Sequence, residues 1–339
     1  MGTDRQRYLG GSVHRLLVLS LAILLSSVAI GCGGGGDSTG SGPSRLFMSL
    51  GTAPPGGAFF PVGSALAEVI NETGSASGYS VTAEATSGSQ ENIRRLASGE
   101  LDVALSNSAI TYFAVRGGEG WDREYPIRSV MTLAPNVALF IAPADSGIEA
   151  LDDLRGHRVA VGPAGAGFEY FVGPLLEAHG LTYDDFSPLN YGTQQAAVDM
   201  LADGSADAAF LGGAVPTASI TQAAASMNLT FLPYGETERQ QLISDFLFFR
   251  PATIPAETYR NQSEPFEGLD VGSMHLITSA DAPEELIFEM TRLLYENREL
   301  VVEKHAVGRA INPGTVVRDT GTEFHPGAIR FYQQIGIWP

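Results

Sequence analysis

Residues 79–108, YSVTAEATSGSQENIRRLASGELDVALSNS, read as a strand, a small-residue turn, a short helix and a second strand. The turn Thr86-Ser87-Gly88-Ser89 opens the helix, so backbone N–H groups and hydroxyls gather at its N-terminus and point away from the sheet. Such a helix start is a ready site for a carboxylate or another anion. The second strand, Asp102 to Leu105, ends in polar Ser106-Asn107-Ser108.

The same unit recurs. GSQENIRRLASGELDVAL (88–105) and TQQAAVDMLADGSADAAF (193–210) align at a constant offset of 105, pairing Ile93 with Val198, Leu96-Ala97 with Leu201-Ala202, Gly99 with Gly204 and Asp102 with Asp207. The loop-helix units before them align at an offset of 110, with Gly57 on Gly167, Gly63 on Gly173 and Leu66 on Leu176. Strands alternating with helices imply an α/β chain with parallel sheets under right-handed crossovers. Ligands of such sheets lie outside the carboxyl ends of the strands. Two similar lobes would then present two rims of N–H donors to one cleft.

The 339 residues exceed the size at which one core usually stops growing, which also predicts two lobes. We place lobe one at 45–140 plus 256–339 and lobe two at 141–255. Before them, Arg5, Arg7 and Arg15 precede an apolar run from Leu16 to Ile30, then Gly31-Cys32. A basic flank, an apolar core and a small-residue exit predict a secretion signal over 1–31. Ala29-Ile-Gly-Cys32 is similar to a bacterial lipobox, so Cys32 is the expected lipidation site, followed by a Gly/Ser tether over 32–44. The protein is therefore expected outside the cytoplasm, tethered to a membrane. Cys32 is the one cysteine, leaving no second thiol for a disulfide or zinc cluster. The net charge is −18, falling to about −20 without residues 1–31, which argues against nucleic-acid binding.

Enzyme signatures are sparse. The histidines show no paired metal spacing, and neither GxSxG nor GxxxxGK[ST] occurs. Asp152-Asp153 and Asp184-Asp185 fit solvated helix starts better than acid–base chemistry. Gly162-x-x-Gly165-x-Gly167 follows a strand and precedes a helix, as a dinucleotide loop does, but the third glycine of GxGxxG would fall on Tyr170. An NAD(P)-binding enzyme is therefore the weakest alternative. No catalysis, cofactor or metal is expected. Phe59, Phe60, Phe168 and Tyr170 flank the two glycine loops as candidate ligand walls or as core. Ser106 and Asn107 sit at a strand's carboxyl end, and Asn92 in the first helical turn, where they can reach a ligand.

With those residues in view, the chain resembles the TAXI-type (TRAP-associated extracytoplasmic immunogenic protein) solute-binding subunits of TRAP transporters. The resemblance rests on GTAPPGGAFFPVGSALAEVIN (51–71), EATSGSQENIRRLASGELDVALSNS (84–108), ADSGIEALDDLRGHRVAVGPAGAG (144–167), DGSADAAFLGGAVP (203–216), IPAETY (254–259) and FHPGAIRFYQQIG (324–336). It implies a two-lobed periplasmic-binding-protein fold of type II topology, closing on a small organic acid or amino acid such as glutamate or 2-oxoglutarate. It also implies TRAP membrane permease subunits as partners. By position, its binding loops fall on Gly51, Thr52, Phe59, Phe60, Ser87, Gly88, Ser89, Asn92, Ser106, Asn107, Gly165, Ala166, Gly167, Phe168, Gly213 and Pro216. GTAPPGG replaces the common GTGGPGG, and Phe59-Phe60 replaces a tyrosine pair. A ligand-binding sensor using the same fold is the alternative.

Overall fold

Strands and helices alternate from Leu46 onward in the computed structural model, which describes residues 46–55, 58–118, 120–163, 166–187 and 189–339. Cys32, the proposed signal and tether, and Gly165 lie outside the described residues. The chain begins β1 (Leu46–Gly51), α1 (Phe59–Thr73), β2 (Tyr79–Glu84), α2 (Ser89–Ala97), β3 (Val103–Asn107), α3 (Ser108–Ala114) and β4 (Ile127–Thr132). A second series follows: β5 (Val137–Pro143), β6 (Val159–Val161), α4 (Glu169–Ala178), β7 (Leu189–Tyr191), α5 (Gln194–Asp203), β8 (Ala208–Gly213) and α6 (Ala218–Ser226). It continues with β9 (Leu229–Phe231), α7 (Glu236–Asp245), β10 (Phe249–Ile254) and β11 (Phe266–Val271). The chain then returns through β12 (Met274–Ser279), α8 (Glu284–Glu296), α9 (Arg298–Lys304), α10 (Pro313–Val316) and α11 (Pro326–Gln334).

Two sheets result. The first has the order β2-β1-β3-β12-β4 and the second β10-β11-β5-β8-β6-β7, with β9 beside β5. The βαβ units pair parallel, β1 with β2 and β3, and β6 with β7 and β8. The returning strand β12 runs antiparallel between β3 and β4. This is the two-lobed α/β arrangement that the repeat predicts, in the type II order that the resemblance implies.

The chain passes between the sheets twice, at 133–136 and 272–273. The expected boundaries differ from these switches: 140/141 falls inside β5, and 255/256 directly follows β10, before β11 has joined the second sheet. The apolar run 127–142 looks continuous, but Pro135 lacks an N–H for a ladder and the chain changes sheets there. The helical spacing of Leu286, Met290, Leu293 and Leu294 predicts one long helix over 283–304, but it breaks at Asn297, between α8 and α9.

The repeated glycines have one physical cause. Gly99 follows α2 at φ +75° and Gly204 follows α5 at φ +74°, the left-handed conformation that ends a helix and turns the chain back to the sheet. Leu66 of α1 and Leu176 of α4 are both fully buried under their sheets. Lobe one packs Leu50, Leu66, Leu105, Leu276, Leu294 and Tyr332 into its own core. The second core extends out of lobe two into α3 and Trp121, where Tyr170 lies 5.4 Å from Phe113 and 5.9 Å from Trp121. Aromatic rings thus join the lobes beside the cleft. Among the described residues no helix is long and apolar enough to cross a membrane.

Candidate functional site

The carboxyl ends of β1, β2 and β3 meet around two buried side chains. Thr52 donates to the Glu84 carbonyl through its N–H at 3.0 Å and its hydroxyl at 2.7 Å. Asn92 Nδ2 donates to the Thr52 carbonyl at 2.7 Å and the Leu105 carbonyl at 2.8 Å. Gly51 makes this possible: a Cβ there would stand 2.6 Å from Asn92 Oδ1. Thr86 Oγ1 donates to the same Thr52 carbonyl at 3.0 Å and accepts from Gly88 N at 3.1 Å.

The polar end of β3 is also engaged internally. Ser89 Oγ accepts from Asn107 N at 3.0 Å. Asn107 Oδ1 accepts from Ala109 N at 2.8 Å, capping α3, and its Nδ2 donates to the Gly272 carbonyl at 2.8 Å. Ser106 Oγ lies 2.8 Å from Thr111 Oγ1, which lies 2.8 Å from His275 Nε2. Desolvation pushes buried His275 down to about 3, so its ring is neutral. These side chains shape the rim instead of projecting from it.

What the rim leaves open is backbone. Gly88, at φ +111°, is the N-cap of α2, and no side chain caps the helix. Exposed Ser87 gives its N–H to Glu91 Oε2 at 2.9 Å, and its hydrogen bonding holds the Glu91 carboxyl below its usual range. The N–H groups of the first turn of α2 therefore lack a side-chain acceptor of the usual kind.

Across the seam stands the first turn of α4. Gln90 Nε2 donates to Glu169 Oε1 at 2.9 Å, so the two helix starts face each other. Gly167, at φ +93°, comes so close to α3 that a Cβ would meet Ile110 Cδ1 at 2.6 Å. Phe168 lays its ring on Gly162, 2.3 Å from where a Cβ would stand, and packs on Phe171 at 5.1 Å. The close backbone approach that a dinucleotide pyrophosphate needs at that glycine is thus taken by the ring. Val161, Gly162, Pro163, Phe168, Glu169, Tyr183 and Tyr191 line a pocket of about 270 Å³ at the ends of β6 and β7.

The structure brings Gly51, Thr52, Gly88, Ser89, Asn92, Ser106 and Asn107 into one hydrogen-bonded rim, with Ser87 on its outer side and Gly167 and Phe168 across the seam. Ala166 precedes them, its N–H bonded to the Pro163 carbonyl at 3.1 Å. Phe59 rests on the lobe-one core, and Phe60 follows it in the first turn of α1, half-buried. Gly213 ends β8 and Pro216 is exposed before α6; among the described residues no hydrogen bond joins either to the rim. Tyr170 is buried in the interlobe aromatic contact, its phenol pushed up to about 12 by burial. Sequence reasoning missed Gln90, Ile110, Glu169, Tyr183 and Tyr191. The repeat held a signal for one of them, since the offset of 105 carries Thr86 onto Tyr191.

Solved structures share this shape. PhnD1 from Prochlorococcus marinus, in complex with methylphosphonate, is 9% identical over 86% of this chain and 98% of that one, with a TM-score of 0.55. The periplasmic aliphatic sulphonate binding protein SsuA from Escherichia coli is 16% identical over 79% of this chain and 82% of that one, at 0.47. A binding protein component of an ABC phosphonate transporter from Pseudomonas aeruginosa is 13% identical over 78% and 90%, at 0.44. The TAXI-type assignment is overturned by the family that matches, which is a different one, and the TRAP permease partners and the glutamate- or 2-oxoglutarate-type ligand that the resemblance implied fall with it. The misreading has a physical source. Glycine loops and small-residue helix starts are what parallel strand ends of any two-lobed binding fold need, so they mark the fold more than the family. The model of the NMT1-like family matches residues 50–336, and the chain belongs to that family.

Proposed function

We propose that this protein is an extracytoplasmic solute-binding protein. It captures a small oxyanion-headed solute, of phosphonate or sulfonate type, between its lobes and delivers it to membrane subunits of an ABC transporter. The observation that carries this reading is the start of α2, where Gly88 is the N-cap, no side chain caps the helix and none stands in the way. A helix N-terminus carries partial positive charge and unpaired N–H groups, so it favours an anion. Charge-assisted N–H bonds contribute about 1.5–3 kcal/mol each, so three give about 4.5–9 kcal/mol, between millimolar and micromolar binding. Methylphosphonate, held by PhnD1, is a ligand of this kind. The apolar run ending at Cys32 supports export and a lipid tether.

The test is a thermal-shift and calorimetric screen of the full-length chain with methylphosphonate, ethylphosphonate and ethanesulfonate. At a hundredfold excess over Kd a bound ligand stabilises the folded state by about 2.7 kcal/mol. An unmoved melting temperature with every member of the set would sink the oxyanion reading.

A further inference from the structure

The lobe-two pocket beside the seam has a chemistry that an oxyanion does not need. Three aromatic rings, Phe168, Tyr183 and Tyr191, and one carboxylate, Glu169, supply its side-chain surface together with Val161 and Pro163. Among the described residues no cationic side chain lines it. Tyr191 is 55% exposed, so its ring is open to a ligand. Tyr183 lies largely under the pocket floor, and its phenol is pushed up first by burial and then by the charge of Glu169 nearby. Phe168 is fixed in place because its ring fills the space over Gly162. Glu169 is oriented by Gln90 at Oε1, and among the described residues no donor reaches its Oε2.

An anionic group placed here would meet the Glu169 carboxylate, the one charged side chain in the lining among the described residues. A cationic nitrogen would meet the negative faces of aromatic rings and a charged acceptor together. We propose that the pocket of Phe168, Glu169, Tyr183 and Tyr191 receives an ammonium group carried by the same solute whose oxyanion meets the start of α2. The solute is then a short zwitterion, because Gln90 in the first turn of α2 touches Glu169 directly. This assignment rests on the oxyanion reading above and narrows its ligand class.

Matched pairs separate the two ideas. Calorimetric titration of the full-length chain compares ethylphosphonate with 2-aminoethylphosphonate, and ethanesulfonate with 2-aminoethanesulfonate. The amino member of each pair should bind about tenfold tighter or more. Glu169→Gln should erase that preference, and Tyr191→Ala, at an exposed position, should reduce it at unchanged melting temperature while leaving the alkyl member within about twofold. Equal binding of amino and alkyl members overturns the ammonium site and leaves the oxyanion reading intact. An amine preference that survives both substitutions places the nitrogen elsewhere and also overturns it. Binding of neither pair overturns both readings.

Discussion

Asp102 and Asp207 hold equivalent places in the two lobes: each carboxylate accepts the backbone N–H of the residue it returns to beside the neighbouring strand, Ser49 and Arg158 respectively, at 2.8 Å. Each also donates its own N–H to that residue's carbonyl, at 3.2 Å from Asp102 and 2.7 Å from Asp207. The aspartate closes the βαβ unit by fixing where the returning strand starts. Arg158 adds its guanidinium to Asp207, with Nε at 3.1 Å from Oδ2, and holds that carboxyl far below the usual range.

Asp207→Ala should therefore destabilise the protein by roughly 2–3 kcal/mol, and Asp102→Ala, with no arginine, by about 1 kcal/mol. A lowered folded-state pKa contributes stability that is present above about pH 4 and lost as the pH falls below it. Urea midpoints at pH 7 and pH 3 check both points, and the gap between wild type and Asp207→Ala should narrow at pH 3.

Asn92 ties two strand ends from inside the rim. Removing its amide leaves the Thr52 and Leu105 carbonyls with one donor fewer each in a buried place, so Asn92→Ala should cost roughly 2–4 kcal/mol. Equilibrium unfolding measures it. A variant with wild-type stability but weak ligand binding would show that the amide serves the solute directly.

Asp270 and His275 flank the return crossing and oppose each other in acid. Burial raises Asp270 to about 6, against hydrogen bonding from Ser273 and Asn136 N–H that pulls it down. A raised carboxyl means the folded state holds a proton that the unfolded state releases, so its contribution falls as the pH rises from about 4 to 6. His275, pushed down to about 3, has the reverse sign: its contribution grows with pH until about 6.5. Between pH 4 and 6 the two nearly cancel. Asp270→Asn removes the opposing proton, so between pH 4 and 6 the unfolding free energy of the variant should climb more steeply than that of the wild type, by about 1.4 kcal/mol per pH unit. Chemical denaturation of both proteins at pH 4, 5 and 6 reads the two slopes; equal slopes refute the assignment.

Gly167 makes a tight interlobe approach. Alanine there must hold φ near +93° and push against Ile110, so Gly167→Ala should keep the lobes from closing fully and weaken solute binding by about tenfold or more. Adding Ile110→Ala should restore part of the loss, because the double variant removes the obstruction. Calorimetry on the single and double variants decides it.

Some of this architecture was legible in the residues and some was not, for local reasons. Gly99, Gly204, Asp102 and Asp207 act within one βαβ unit, so their spacing alone exposes the repeat. The sheet switch at 272–273 is silent, because Gly272-Ser273 inside an apolar run reads as the middle of one strand. Asn92 shows the other limit. A polar residue in a helix's first turn has the same local signal whether it meets a ligand or two buried carbonyls. The Glu169–Tyr191 pocket needs residues from three separate elements, and no single stretch displays it.

The two crossings form a paired ribbon. Leu133 N donates to the Met274 carbonyl at 2.8 Å, Met274 N to the Ala134 carbonyl at 2.9 Å and Val271 N to the Asn136 carbonyl at 2.9 Å. Mechanically this is a flexure: two tethers laced side by side bend across their width but resist sliding past each other. Asn107 grips the ribbon at Gly272, so the rim and the flexure share one fastening. Any opening of the lobes has to bend this ribbon, and the ribbon is fastened at the edge of the candidate site.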